Sequence, residues 1–292
     1  MNGVLNMEKR PLGNTGDYLS ILGFGGVIVT DTEQKDANNY VAEAIDQGIN
    51  YFDVSPNYGN AQDRLGPALE GKRQNVFLAC KTEKRTKQES QAELENSLRV
   101  LKTDHFDLYQ FHAVKKVEEV ETILGPDGAM ETFLKAQKEG KIRHIGFSAH
   151  TEEAALALMD RFNFTSVLFP VNWVSLLSDK FGNRIIQKAI EKGVARLSLK
   201  AMAKKEWPEG LEKKDRKYPK CWYEPIDDEA IADLALRFTL SQPITAAIPP
   251  GDIRLFRTAV KIANKYRPLS EQELVNLKSY AREITPVFPK AY

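Results

Sequence analysis

Eight short runs of apolar, β-branched and aromatic residues punctuate this chain, and a helical pattern follows them: residues 21–25, 49–53, 76–80, 105–112, 142–148, 166–170, 194–199 and 244–249. Runs of this length and composition read as buried strands. Between them, apolar residues recur at helical spacing: Ala42, Ile45 and Ile49 after Asp36, and Leu94, Leu98 and Leu101 after Lys87. Ala154, Ala155, Leu158 and Met159 follow Thr151, a residue type suited to an N-cap. Ile185, Ile186, Ala189 and Ile190 repeat the pattern, then Ile231, Leu234, Ala235 and Phe238. Strand then helix, eight times, predicts a (β/α)8 barrel, the TIM barrel of the α/β class. A doubly wound open sheet also alternates. Eight units without a glycine-rich phosphate fingerprint after the first run favour the barrel.

Two pieces lie outside the eight units. Residues 8–22 hold two short runs around Gly13-Asn14-Thr15-Gly16, which predicts an N-terminal β-hairpin at the bottom of the barrel. Ser270 followed by Glu273 is a capping box, which predicts an extra C-terminal helix. No Gly/Ser/Pro linker or charge run divides the chain, so residues 1–292 are expected to form a single barrel domain.

Charge narrows the function. Forty-one Lys and Arg against 40 Asp and Glu leave a net charge of +1. That balance argues against nucleic-acid and membrane-surface partners. The apolar stretch Ile21–Val29 is too short to span a bilayer, and the N-terminus lacks a signal-peptide core. Two cysteines, Cys80 and Cys221, make no disulfide framework and fit a reducing, cytoplasmic setting. The four histidines and two cysteines show no zinc spacing, so no metal is expected.

Barrel active sites gather at the C-terminal ends of the strands. Asp53, Lys81, His112 and Ser148 close successive runs roughly 30 residues apart, about one βα unit in a barrel of ~250 residues. Tyr58 follows Asp53 in the next loop. Singly, each has an ordinary explanation: a cap, a packed ring, a satisfied core histidine. Asp53, Tyr58, Lys81 and His112, four polar groups at three adjacent strand ends, together point to chemistry. Tyrosine, with a reference pKa of about 10, is a poor acid at neutral pH. A lysine beside it stabilises the phenolate and is expected to lower that pKa by about 1–3. An aspartate would hold the lysine charged, and a histidine can hydrogen-bond a carbonyl oxygen. The set can protonate a carbonyl oxygen but supplies no hydride, so reduction requires a cofactor.

Four segments, 48–69, 76–82, 107–112 and 140–150, resemble the signatures of the aldo-keto reductases, and the resemblance runs from Leu12 to about Ile262. It implies a (β/α)8 barrel that transfers hydride between a nicotinamide cofactor and the carbonyl of a small aldehyde or ketone. By this resemblance Tyr58 is the general acid, Lys81 tunes it, Asp53 supports Lys81 and His112 orients the carbonyl. The implied cofactor is NADP(H), with NAD(H) the alternative. Residues implied to hold it are Gly25, Asp53, Ser148, Asn172, Leu199, Lys200, Gly251, Arg254 and Arg257. The chain departs from the family pattern at Ala149, where an asparagine is usual, at Asn172 for a glutamine and at Leu199 for a tyrosine.

Two other functions compete. One is a non-catalytic nucleotide-sensing or regulatory subunit on the same scaffold. The other is a Schiff-base lyase using Lys81 or Lys200, disfavoured because Asp53 beside Lys81 would keep that amine protonated. The longest connection, 203–226, carries seven basic residues against five acidic ones, with Trp207, Trp222 and Tyr223. It is expected on the catalytic face, either as a mobile lid that orders over the cofactor or as a solvated charged loop whose aromatics pack on the barrel rim.

Overall fold

The computed structural model describes residues 7–179, 181–285 and 287. In chain order the strands are β1 (Lys9–Pro11), β2 (Tyr18–Ser20), β3 (Phe24–Gly25), β4 (Tyr51–Asp53), β5 (Phe77–Thr82), β6 (Phe106–Val114), β7 (Ile142–Ala149), β8 (Ser166–Pro170), β9 (Ala195–Leu199), β10 (Ala203–Lys205), β11 (Glu224–Pro225) and β12 (Ala246–Ala247). β3 to β9 and β12 form one eight-stranded sheet of parallel neighbours. The ring closes where Leu22 bridges Ala247 in parallel, through Gly23 N to Ala247 O at 2.9 Å and Ala247 N to Ile21 O at 2.9 Å. These eight strands are those predicted, and the fold is the (β/α)8 barrel.

Strand alternation builds the interior. Tyr51, Ala79, Leu108 and Leu197 share one apolar cluster with Leu12 and Leu19 of the hairpin region. β1 and β2 pair antiparallel as the predicted hairpin. Tyr51 fills the barrel because β3 is preceded by a glycine: a Cβ on Gly23 would lie 2.5 Å from the Tyr51 ring. Two residues further along their strands, and therefore on the same face, Asp53, Lys81 and Gln110 replace the apolar layer with a polar one. Salt bridges fasten the hairpin to the wall: Asp17 pairs with Arg143 at 2.9 Å and with His144 at 2.7 Å.

The larger core lies between the strands and the surrounding helices. Here the helical stripes were partly misplaced. In the helix Gln34–Asp46 the buried residues are Ala37, Val41 and Ala44. Ala42 and Ile45 are half-buried, and Ile49 lies beyond Gly48 on the way into β4. Leu101 caps the helix Lys87–Val100 instead of lying within it. Ile190 is 47% exposed. A helix buries a stripe about 100° wide, so a reading one residue out rotates it to the flank. The Thr151 cap stands, its side chain accepting from Ala154 N, and the Ser270–Glu273 capping box opens the C-terminal helix Glu271–Arg282. Among the described residues, no helix is long and apolar enough to cross a membrane.

Segment 203–226 packs against the barrel rim. Its ends pair as the antiparallel strands β10 and β11. Between them Tyr218, Cys221 and Leu255 pack together against Trp207, whose indole donates to Cys221 O at 2.7 Å. Lys220 Nζ donates to Ile28 O and to Thr32 Oγ1, both at 2.9 Å, in the connection after β3. Of the three aromatic residues, Trp207 packs into this cluster and Tyr223 against Ala203 and Val287. Trp222 is the exception, at 61% exposure.

Candidate active site

Asp53 ends β4, Lys81 lies near the end of β5 and His112 near the end of β6, so three neighbouring strands aim them at one point. The loop after β4 folds back to bring Tyr58 over them. Lys81 Nζ donates to Tyr58 OH at 3.2 Å and is salt-bridged to Asp53 Oδ1. Asp53 Oδ2 accepts from Tyr51 OH at 3.3 Å and from Gln110 Nε2 at 3.2 Å. The carboxylate is thus held on both oxygens, which fixes the lysine beneath the phenol. The Tyr58 and His112 rings meet edge-on, centroids 5.8 Å apart. Ser55 Oγ lies 3.1 Å from His112 Nδ1. The four residues expected to act together are therefore together.

The electrostatics corrects one expectation. Burial would strip Lys81 of its proton, but Asp53 and then Tyr58 outweigh it and raise its pKa. Burial also pushes the Tyr58 phenol above its ordinary value; Lys81 pulls it down, but not far enough to reverse the shift. The resting phenol is thus a weaker acid than a free tyrosine, not a stronger one. The reason is that desolvation acts against the phenolate throughout, while the Lys81 charge is already shared with Asp53. His112 is pushed down to about 2, first by burial and then by Lys81, so its imidazole is neutral.

Above these groups opens a cavity of about 620 Å³, with Asp53, Tyr58 and His112 in its lining. A pocket of this size is in the range for small molecules. Gly25, Leu199, Lys200 and Gly251 line it as well. Glycine is required at position 251, because a Cβ there would lie 2.5 Å from Val27 Cγ1. The other residues of the implied cofactor set have protein partners. Ser148 Oγ accepts from Ala113 N at 2.8 Å, and Asn172 Oδ1 accepts from Ser175 N at 3.0 Å; both residues are buried. Arg254 pairs with Asp252 at 2.9 Å, and Arg257 pairs with Glu43 at 2.8 Å. None of these four lines the cavity.

Sequence reasoning passed over several residues at the site. Gln110 and Ser55 each lie two positions from a tetrad residue, so strand alternation from His112 and Asp53 could have flagged them. Asn57, Glu83 and Lys115 line the mouth from loops that follow β4, β5 and β6. Their neighbourhood follows from barrel order. Lys213, Arg216, Lys220 and Trp222 reach the cavity from the docked segment, which no local pattern specifies.

The comparisons agree with this geometry. The model of the "Aldo/keto reductase family" matches residues 21–220. The uncharacterised oxidoreductase YqkF of Bacillus subtilis is 25% identical over 95% of this chain and 97% of its own length. The aldo-keto reductase YhdN of Bacillus subtilis is 32% identical over 56% of this chain and 53% of its own. Among solved structures, the holo form of aldo-keto reductase AKR11C1 from Bacillus halodurans superposes with a TM-score of 0.72 at 24% identity, covering 94% of this chain and 96% of that one. A barrel built in this order, with this match across most of its strands, belongs to the aldo/keto reductase family of oxidoreductases.

Proposed function

We propose that the protein reduces the carbonyl of a small aldehyde or ketone to an alcohol, reversibly, with NADP(H) as first cofactor and NAD(H) as the alternative. The observation that carries this reading is the Lys81 ammonium, held between Asp53 and the Tyr58 hydroxyl beside a neutral His112. If Ser55 donates to Nδ1 of His112, the ring's N–H is on Nε2 and can meet a carbonyl oxygen. Tyr58 donates its proton to that oxygen as negative charge develops there. Lys81 then stabilises the phenolate left behind. This stabilisation grows as the proton departs, which is how a phenol of high resting pKa still serves as the acid. Asp53 keeps the ammonium charged and aimed.

The reduced nicotinamide, when bound, supplies the hydride that these residues lack. The cavity fits such a cofactor in two respects. Gly251 packs its backbone against Val27 with no room for a Cβ, which leaves a close-fitting rim beside the helix Ile253–Ala263. Lys213, Arg216 and Lys220 line the same rim, and none has a carboxylate within 4.0 Å among the described residues. Dinucleotide phosphates would supply the missing charge. Steady oxidation of NADPH and NADH over a panel of aldehydes tests the proposal. Turnover by the wild-type protein supports it, and absence of turnover with both cofactors refutes it.

A further inference from the structure

The cavity has a second set of basic groups, distinct from those on the docked segment's rim. Lys115 follows β6, His150 follows β7 and Lys200 follows β9, and all three line the cavity. Lys200 is the residue at which the chain leaves β9, in the left-handed region at φ 62. Its ammonium stands 3.9 Å from the centroid of the exposed Trp222 ring. The His150 ring lies against the same indole, centroids 6.4 Å apart. Lys115 is exposed and makes no ion pair among the described residues. The acids of the mouth come from other strand ends: Asp31 after β3, Glu83 after β5, and Asp53, which is committed to Lys81.

These basic groups disfavour one another's charge. Burial first, then Lys115, lowers the Lys200 pKa well below its ordinary value. Burial, then Lys200 and Lys115, push His150 down to about 3. His112 lines the same cavity as Lys115, His150 and Lys200, so the proposed carbonyl site and these groups share one space. An anion entering the cavity beside them would favour their protonated forms and pair with the Lys115 charge.

We infer that Lys115, together with His150 and Lys200 beside Trp222, forms a subsite for an anionic group on the substrate, so that the preferred substrates are carbonyl compounds carrying a carboxylate. This rests on the carbonyl-reductase reading of Tyr58 and His112, and it adds the class of substrate. Lys115 supplies a flexible point charge at the open edge. Lys200, which is buried, and His150, which is half-buried, stand at the same wall beside Trp222. A carboxylate on the substrate could be confused with a cofactor phosphate, since both are anions, and the experiment separates them.

Turnover is compared for matched pairs with saturating NADPH: succinic semialdehyde against butanal, and 4-carboxybenzaldehyde against benzaldehyde. The acid of each pair is expected to have the higher kcat/KM, by roughly tenfold, the scale of one charge-assisted hydrogen bond. Lys115→Met should remove most of that preference through KM and leave the neutral aldehydes within about twofold; Lys115→Glu should invert it. The Kd of NADPH, from fluorescence titration, should be the same in Lys115→Met and wild type. Equal kcat/KM within each pair, or a preference that survives both substitutions, overturns the inference. So does a weakened NADPH Kd with equal losses on acid and neutral aldehydes, which assigns Lys115 to the cofactor. If no aldehyde is reduced at all, the reductase reading fails, and the subsite is then judged by calorimetry with succinate in the presence of NADPH. Succinate binding that Lys115→Met weakens retains the subsite; no binding discards it.

Discussion

Lys81 Nζ lies 3.2 Å from Tyr58 OH, and its charge is simultaneously engaged by Asp53. This shared cation explains why the phenol rests protonated yet can act as an acid. Removing Lys81 should damage both fold and function. Lys81→Met leaves the Asp53 carboxylate buried without its cation, and breaking such a pair costs about 3–5 kcal/mol. Lys81→Met with Asp53→Asn should recover much of the stability and none of the activity. Denaturant melts of the three proteins check this. Equal stability of wild type and Lys81→Met would show that the pair is not holding the barrel mouth together.

His112 and His150 should make the protein sensitive to mild acid. Their folded pKa values are pushed down to about 2 and about 3 by burial and neighbouring cations, while an unfolded histidine titrates near 6.5. Below about pH 6.5 the unfolded chain therefore takes up protons that the folded chain refuses, and stability falls with pH. Each histidine contributes about 1.4 kcal/mol per pH unit in that window. In His150→Asn the slope of unfolding free energy between pH 6 and pH 4 should be shallower by about one proton. An unchanged slope would mean that His150 titrates normally in the folded protein.

The docked segment gives a third expectation. Lys220 ties it to Ile28 O and Thr32 Oγ1, two hydrogen bonds worth about 0.5–1.5 kcal/mol each. Trypsin should cut slowly near Lys213–Lys217 with or without NADPH, and faster in Lys220→Met. Fast cutting of the wild-type protein that NADPH suppresses would restore the mobile lid.

Cofactor affinity should depend on that segment more than on the helix after β12. Arg257 is held by Glu43 at the outer edge, so Arg257→Ala should leave the NADPH Kd nearly unchanged. Arg216 lines the cavity without a carboxylate partner among the described residues, so Arg216→Ala should weaken NADPH severalfold, and more so at low salt. The reverse ranking in fluorescence titration would return the phosphate to the helix.

The barrel was legible in the sequence because alternation of strand and helix is a local signal repeated eight times, and closure follows from counting. The convergence of Asp53, Lys81 and His112 was legible for the same reason: each lies near the end of a run, and parallel register levels those ends. Tyr58 was legible only as a loop residue close behind Asp53, since a loop residue has no register; residue chemistry suggested the acid and the family resemblance assigned it. The Tyr58 pKa was misjudged because residue types name the neighbouring charge but not the desolvation opposing it. Ser148 and Asn172 show a similar limit. The backbone N–H groups of Ala113 and Ser175 that donate to them could not be read from residue types. Trp222 reaches Lys200 only through the path of the whole docked segment, which depends on long-range packing.

The most direct test of the account is the rate of NADPH oxidation with a reducible aldehyde in wild type and Tyr58→Phe, alongside the NADPH Kd of each. The substitution keeps the ring and removes only the proton donor. The account predicts a fall in kcat of about 10²–10⁴-fold, the range for a lost general acid, with the Kd unchanged. A Tyr58→Phe protein that turns over at the wild-type rate would contradict it.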